Sequence, residues 1–169
     1  MKLKKKLLFN ISLILLFMTL FLIGCSDSSE VAKLDSNEDI KNEGLPLVLT
    51  DQMERKVTVE KLPEKIVSLS PANTEILYVL DLRDKIVGVT DYCDYPEEVE
   101  NKEKVGGFSD PNIEKIVSLE PDLVVCNDLH LQFVERLEEF DIPAIILDPK
   151  DFDDMFASIE LVGQATGQS

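Results

Sequence analysis

Short apolar runs rich in valine and isoleucine alternate with segments of helical periodicity from residue 64 onward. The runs are 64–69, 84–90, 122–127 and 142–148, and the helical segments are 73–82, 114–119, 131–140 and 153–166. Apolar strands that alternate with amphipathic helices form a parallel sheet with helices on both faces. The sequence therefore predicts an α/β fold with a central parallel sheet flanked by helices.

The hexapeptide EKIVSL occurs twice, at 64–69 and at 114–119. The first copy lies between Pro63 and Ser70-Pro71, which favours a strand. The second copy follows the cluster 109–112 (SDPN), whose capping side chains and first-turn proline favour a helix. Because no similarity extends beyond the hexapeptides, we expect one string in two secondary structures rather than an internal repeat.

Residues 45–60 contain two alternating apolar stretches around a polar turn, which predicts an N-terminal β-hairpin. Ligands of parallel sheets bind at the carboxyl ends of the strands. The loops expected there are 70–75 (SPANTE), 89–96 (VTDYCDYP), 106–112 (GGFSDPN) and 126–130 (CNDLH). None of them is a GxGxxG sequence or a P-loop, so a nucleotide site is not indicated.

The N-terminus has the pattern of an export signal. Four lysines in the first six residues precede the apolar stretch 7–23, and Gly24-Cys25 follows. LIGC resembles a lipobox, which implies a signal peptide at 1–24 and a diacylglyceryl group on Cys25; an uncleaved anchor is the alternative. Residues 25–44 are polar and acidic, which is typical of a flexible tether.

The mature chain would be strongly acidic. Removal of residues 1–24 leaves 13 basic against 33 acidic residues, a net charge of −20. This charge argues against nucleic acid and against attraction to anionic lipid as binding modes.

No catalytic or metal-binding constellation is visible in the sequence. The chain has one histidine, His130, which we expect at the surface of a loop, and no HExxH or CxxC motif. Cys93 and Cys126 could pair in an exported protein, but two small buried side chains are the favoured interpretation. We therefore predict no enzyme activity, no metal site and no cofactor.

Four blocks carry a family resemblance: IVSLSPANTEIL, IVGVTDYCDYP, KVGGFSDPNIEKIV and LEPDLVV. In this order and spacing they resemble the substrate-binding proteins of ABC importers for cobalamin and iron chelates. The order leans towards the cobalamin branch rather than the ferric-siderophore branch. The resemblance implies a membrane-anchored lipoprotein on the extracytoplasmic face, a monomer whose partners are the importer's permease subunits.

Proteins of this family have two α/β lobes joined by a long helix. The resemblance implies that 45–152 is the N-terminal, Rossmann-like lobe and that 153–169 begins the inter-lobe helix. The second lobe is then absent, and we expect a fragment or a truncated reading frame that binds ligand weakly or not at all.

The family positions also imply site residues. The ligand contacts would be Ser70, Pro71, Ala72, Asn73, Tyr92, Phe108 and Asn127. A strand end that meets a helix N-terminus independently offers free N–H groups at 70–73, although Ser70 or Asn73 could serve only as the helix cap. Rings at Tyr92 and Phe108 would cover a large, partly apolar ligand, the alternative being ordinary core packing.

Glu114 matches a glutamate that in this family pairs with arginines of the membrane subunits. A carboxylate in the first turn of a helix is also stabilised by the helix dipole, so docking and local stabilisation both remain open. The leading function is capture of a corrinoid for an ABC importer. The alternatives are capture of a ferric siderophore, or a non-transport lipoprotein that uses the lobe for protein contacts.

Overall fold

The computed structural model describes residues 44–168 of the chain. Strands β1 (Leu47–Thr50) and β2 (Lys56–Val59) form the predicted antiparallel hairpin. The five strands of the second sheet are β3 (Ile66–Ser68), β4 (Ile86–Val89), β5 (Glu103–Lys104), β6 (Leu123–Cys126) and β7 (Ala144–Ile146). They are parallel throughout in the order β5-β4-β3-β6-β7, which confirms the predicted fold class.

Helices cover both faces of the parallel sheet. They are α1 (Pro71–Val79), α2 (Ile113–Ser118), α3 (Leu131–Glu138) and α4 (Phe152–Thr166). One hydrophobic core joins the sheet to α1, α4 and the hairpin, and a second core joins the opposite face to α2 and α3. Burial on both faces explains why β3, β6 and β7 are apolar with little alternation.

The two EKIVSL copies adopt the two predicted structures. The first supplies β3, and the second supplies most of α2, whose Asn112 side chain accepts a hydrogen bond from the Lys115 N–H at 3.0 Å. The sequence suggested that Pro111 lies in the first turn of this helix. In the structure Pro111 precedes the helix, because the next residue, Asn112, is the N-cap. Pro111 instead bridges to Gly106 in the preceding loop.

Helix α1 begins two residues before the predicted start and ends three residues before the predicted end. Ser70 is the N-cap, so Pro71 takes the first helical position, where its missing N–H costs nothing. The helix ends at Val79, and Asp81 then adopts a positive φ of 57° that reverses the chain. The prediction of 73–82 was therefore shifted towards the C-terminus.

Helix α4 ends inside the segment predicted to begin the inter-lobe helix. Gly167 has a φ of 73°, and the Gln168 N–H returns to the Gly163 carbonyl at 2.7 Å. This left-handed cap closes a 15-residue helix that packs against β1. The inter-lobe role of 153–169 stays a prediction.

Several expectations fall on residues outside the described range. The signal peptide, the lipidated Cys25 and nearly all of the tether belong to this group. Between residues 44 and 168, no helix is both long enough and apolar enough to cross a bilayer.

Both cysteines of the described range are free and buried, as predicted. Burial raises the pKa of the Cys126 thiol to about 12, so this side chain stays protonated. Cys93 lies with its sulfur 3.3 Å from the hydroxyl oxygens of Thr74 and Thr90. It belongs to a buried polar network beneath the loops at the carboxyl edge.

The hairpin turn is anchored by a buried carboxylate. Asp51 is only 4% exposed; it binds the Arg55 guanidinium at 2.9 Å and accepts a hydrogen bond from the Ile146 N–H at 3.3 Å. Arg55 also contacts the exposed Glu138 carboxylate at 2.6 Å.

We predict that Asp51→Ala lowers the free energy of unfolding by about 3 kcal/mol, because it leaves the half-buried Arg55 guanidinium and the buried Ile146 N–H without their partner. Urea unfolding of residues 26–169 at pH 7, followed by circular dichroism, measures the change. Glu138→Gln is the matched control and should cost less than about 1 kcal/mol, since that pair is exposed. Equal losses in the two variants would contradict the anchoring role of Asp51.

Candidate functional site

The strand order places a topological switch point between β3 and β6. The chain leaves β3 towards β4 on one side and leaves β6 towards β7 on the other. Loops that diverge in this way open a crevice at the carboxyl ends of the two strands, where ligands of open α/β sheets bind.

A groove of about 700 Å³ lies at this point, between the start of α1 and the start of α4. We call it the switch-point groove. Its lining residues are Ser70, Pro71, Ala72, Asn73, Glu75, Ile76, Val79, Asn127, Asp128, Leu147, Asp148, Pro149, Met155 and Ile159. Five of the seven residues proposed from the sequence as ligand contacts lie in this lining.

The Ser70 side chain caps the N-terminus of α1. Its hydroxyl accepts a hydrogen bond from the Asn73 N–H at 3.2 Å, and its carbonyl accepts from the Thr74 hydroxyl at 2.9 Å. Capping is therefore the role that the geometry gives to Ser70, which is buried. Pro71 and Ala72 form the rim of the groove around this capped turn.

Two side-chain amides lie in the groove with polar atoms unpaired. Asn73 is 4% exposed, and its Nδ2 has no hydrogen-bond partner among the described residues. Oδ1 of Asn127, which follows β6 directly, also lacks a partner of full hydrogen-bond geometry, although it faces the His130 backbone N–H in a capping-box arrangement. A buried polar atom without a partner costs free energy, so these amides are candidates for pairing with a bound molecule.

A second depression adjoins the groove at Pro71, which lines both. Its volume is about 620 Å³, and its lining is Pro71, Tyr92, Phe108, Ser109 and Asp110. We call it the aromatic hollow. Tyr92 is 65% exposed, which excludes ordinary core packing for this ring, whereas Phe108 is half-buried.

The loop that carries Phe108 closes through two glycines. Gly106 has a φ of 105°, and a Cβ there would lie 2.9 Å from the Asn112 nitrogen. A Cβ on Gly107 would collide with the Asp110 carboxylate. The tight turn before Phe108 therefore requires glycine at position 106, whereas the clash at position 107 involves only the end of the Asp110 side chain, which can rotate away.

His130 is the residue that sequence reasoning misjudged. It is 1% exposed rather than at the surface, as we expected, and its ring joins two loops of the site. Nδ1 accepts a hydrogen bond from the Asn127 N–H at 3.2 Å, so Nε2 carries the proton and donates to the Phe108 carbonyl at 2.6 Å. The Phe108 ring packs edge-on against the imidazole, with centroids 5.5 Å apart.

The sequence signal for this role was the position of His130 three residues beyond Asn127, in a short loop at the end of a buried strand. That spacing lets the imidazole turn back onto the Asn127 N–H. The contact to Phe108 joins residues 22 positions apart and could not be inferred from local sequence.

Glu114 lies outside the groove and the hollow. It is exposed in the first turn of α2 and makes no ion pair within the described range, unlike its neighbour Lys115, which pairs with Glu103. Because α2 follows β5, its N-terminus lies at the same edge of the sheet as the switch-point groove.

A third depression, of about 440 Å³, lies at the opposite edge, between the hairpin and the starts of β6 and β7. Its partly buried carboxylate, Asp122, is already paired: Lys61 binds it at 2.6 Å, and it also accepts from the Glu64 and Lys65 N–H groups. The unpaired amides therefore favour the carboxyl edge as the functional site.

Residues 66–169 match the family described as periplasmic binding protein. The chain belongs to this family. The family consists of binding proteins of transport systems, in agreement with the expectation of a binding module rather than an enzyme.

Among the relatives, the ABC transporter substrate-binding lipoprotein YvrC of Bacillus subtilis is 39% identical over 158 residues, which cover 90% of this chain and 49% of that protein. The vitamin B12-binding protein BtuF of Vibrio cholerae superposes with a TM-score of 0.56 at 30% identity, over 63% of this chain and 42% of BtuF.

The iron-uptake ABC transporter substrate-binding protein PiuA of Streptococcus pneumoniae superposes with a TM-score of 0.63 at 25% identity, over 72% of this chain and 44% of PiuA. The chain thus spans about half, or less, of the length of the relatives that it matches.

We predict that the stability of the protein falls as the pH is lowered from 7.5 to 5.5. Burial lowers the pKa of His130 below its ordinary value of 6.5, although the Phe108 carbonyl and Asp128 work in the opposite sense. A group with a depressed pKa in the folded state stabilises fully above 6.5, and this contribution is lost as the pH falls towards the folded-state pKa.

Urea unfolding of residues 26–169 at several pH values measures this slope. His130→Gln should unfold at lower urea at pH 7.5 and should lack the slope between 7.5 and 5.5. A slope that persists in the variant would show that another group titrates in this window.

Proposed function

We propose that this chain supplies the ligand-binding N-terminal lobe of the extracytoplasmic substrate-binding component of an ABC importer. The observation that carries the proposal is the switch-point groove with two unpaired buried amides, next to a hollow with two aromatic rings. Similarity to YvrC and BtuF supports an importer function, and the description of YvrC as a lipoprotein supports attachment to the membrane by a lipid on Cys25.

The proposed ligand is a corrinoid. A corrinoid is a broad, partly apolar disc edged with amide groups, which suits aromatic rings beside side-chain amides. Resemblance to BtuF supports this choice. Capture of a ferric siderophore is the second candidate, and the resemblance to PiuA supports it.

We expect cyanocobalamin to shift the side-chain amide signals of Asn73 and Asn127 in NMR spectra of ¹⁵N-labelled residues 26–169. Tyr92→Ala should weaken this binding about tenfold, because it removes an exposed ring from the hollow. Tyr95→Ala is the matched control, since Tyr95 is equally exposed but lines neither the groove nor the hollow. Equal effects of the two variants would overturn the assignment of the hollow.

Glu114 is proposed to dock the protein on the permease through an arginine of that partner. We predict that Glu114→Ala leaves the NMR titration unchanged but lowers uptake of radiolabelled cyanocobalamin by cells that carry the gene, by about tenfold. Glu135→Ala provides the control, because Glu135 is an exposed glutamate on α3. Loss of ligand affinity in Glu114→Ala would contradict a docking role.

A further inference from the structure

The groove and the hollow have a one-sided charge. Among the described residues, their linings contain four carboxylates, those of Glu75, Asp110, Asp128 and Asp148, and no lysine, arginine or histidine side chain. Asp148 is paired with Lys150, which lies outside the lining, so a ligand at this edge meets three carboxylates that form no ion pair within the described range.

Several basic side chains outside the two linings are already engaged. Lys150 binds the Asp148 carboxylate at 2.5 Å and does not reach the lining of the groove. Lys104 donates to the Cys93 carbonyl at 2.7 Å, below the loop that carries Tyr92. Lys56 and Lys61 line the depression at the opposite edge of the sheet.

The floor of the groove is polar but neutral. Asn73 is more than nine-tenths buried, and both asparagines line the groove; Nδ2 of Asn73 and Oδ1 of Asn127 are buried atoms without a hydrogen-bond partner among the described residues. A side-chain amide can both donate and accept, so together these groups match a neutral ligand group that does the same, such as a carboxamide. A carboxylate or phenolate oxygen only accepts, and it would add a negative charge beside the carboxylates of Glu75, Asp110 and Asp128.

We propose that this edge selects ligands without net negative charge, bearing neutral donor–acceptor groups such as carboxamides, and rejects anionic metal chelates. This inference rests on the proposed function and names its substrate class. An anion that enters the groove would lose part of its hydration and would come close to carboxylates of the same charge. In this partly closed site, Coulomb repulsion is screened less than in bulk water.

The experiment compares three diamagnetic probes by NMR titration of ¹⁵N-labelled residues 26–169 at pH 7.5 and low salt. The probes are cyanocobalamin, a neutral gallium(III) tris-hydroxamate and a trianionic gallium(III) tris-catecholate. The expected result is that a neutral probe shifts the Asn73 and Asn127 amides while the trianion binds at least about tenfold more weakly. Comparing the affinities of the two neutral probes distinguishes a site for a corrinoid from a site for a neutral chelate.

A trianion that binds as tightly as the neutral probes would overturn the charge inference and leave the importer function standing. Failure of all three probes to shift these amides would overturn the proposed ligand site, and the charge inference with it.

A charge variant tests the cause of the selectivity. Glu75→Gln combined with Asp128→Asn removes two carboxylates from the groove and should bring the affinity for the trianion at least about threefold closer to that for the neutral probes. Asp81→Asn combined with Asp141→Asn is the matched control, because it removes the same charge from positions outside both linings. If the affinity for the trianion rose equally in the two variants, the effect would come from the net charge of the protein, and selection by the groove would be overturned.

Discussion

The turn of the N-terminal hairpin closes the open edge of the parallel sheet, and the walls of the binding groove depend on it. Asp51 and Gln52 satisfy the outward-facing N–H and C=O groups of Ile146 in the edge strand β7. The Gln52 side chain then accepts from the Asp148 N–H at 2.6 Å and donates to the Asp154 carbonyl at 2.8 Å. One turn therefore protects the strand edge and positions both the loop after β7 and the start of α4.

Buried polar contacts beneath the site tie its loops together in pairs. The Thr74 hydroxyl joins the start of α1 to the end of β3 through Ser68, at 2.8 Å, and meets Cys93 in the loop that carries Tyr92. His130 joins the loop after β6 to the Phe108 loop. Each ligand-facing loop is thus held by a group that lies below it, which keeps the loops in a fixed relation without using the surface that faces a ligand.

The sequence predicted the fold well because its signals were local. The prolines and caps around the two EKIVSL copies decided between strand and helix, and the alternation of elements indicated a parallel sheet. The strand order, and with it the switch point, came only from the structure. The misjudged features depend on contacts distant in sequence. Burial of His130 requires the Phe108 carbonyl, 22 residues away, and the end of α1 depends on an aspartate that accepts a positive φ. Neither partner could be chosen from periodicity alone.

The side chains of the proposed site differ in how firmly the fold holds them, and this difference sets what each could contribute to binding. Asn73 and Asn127 are fixed by a capped helix and a buried strand, so pairing them with a ligand costs little conformational entropy. Tyr92 is largely exposed and loses rotamer freedom when a ligand covers it, but it contributes a large apolar area in exchange. In the proposed site, fixed neutral amides would therefore determine which ligand edge is accepted, and the exposed ring would add affinity that is less sensitive to the identity of the ligand.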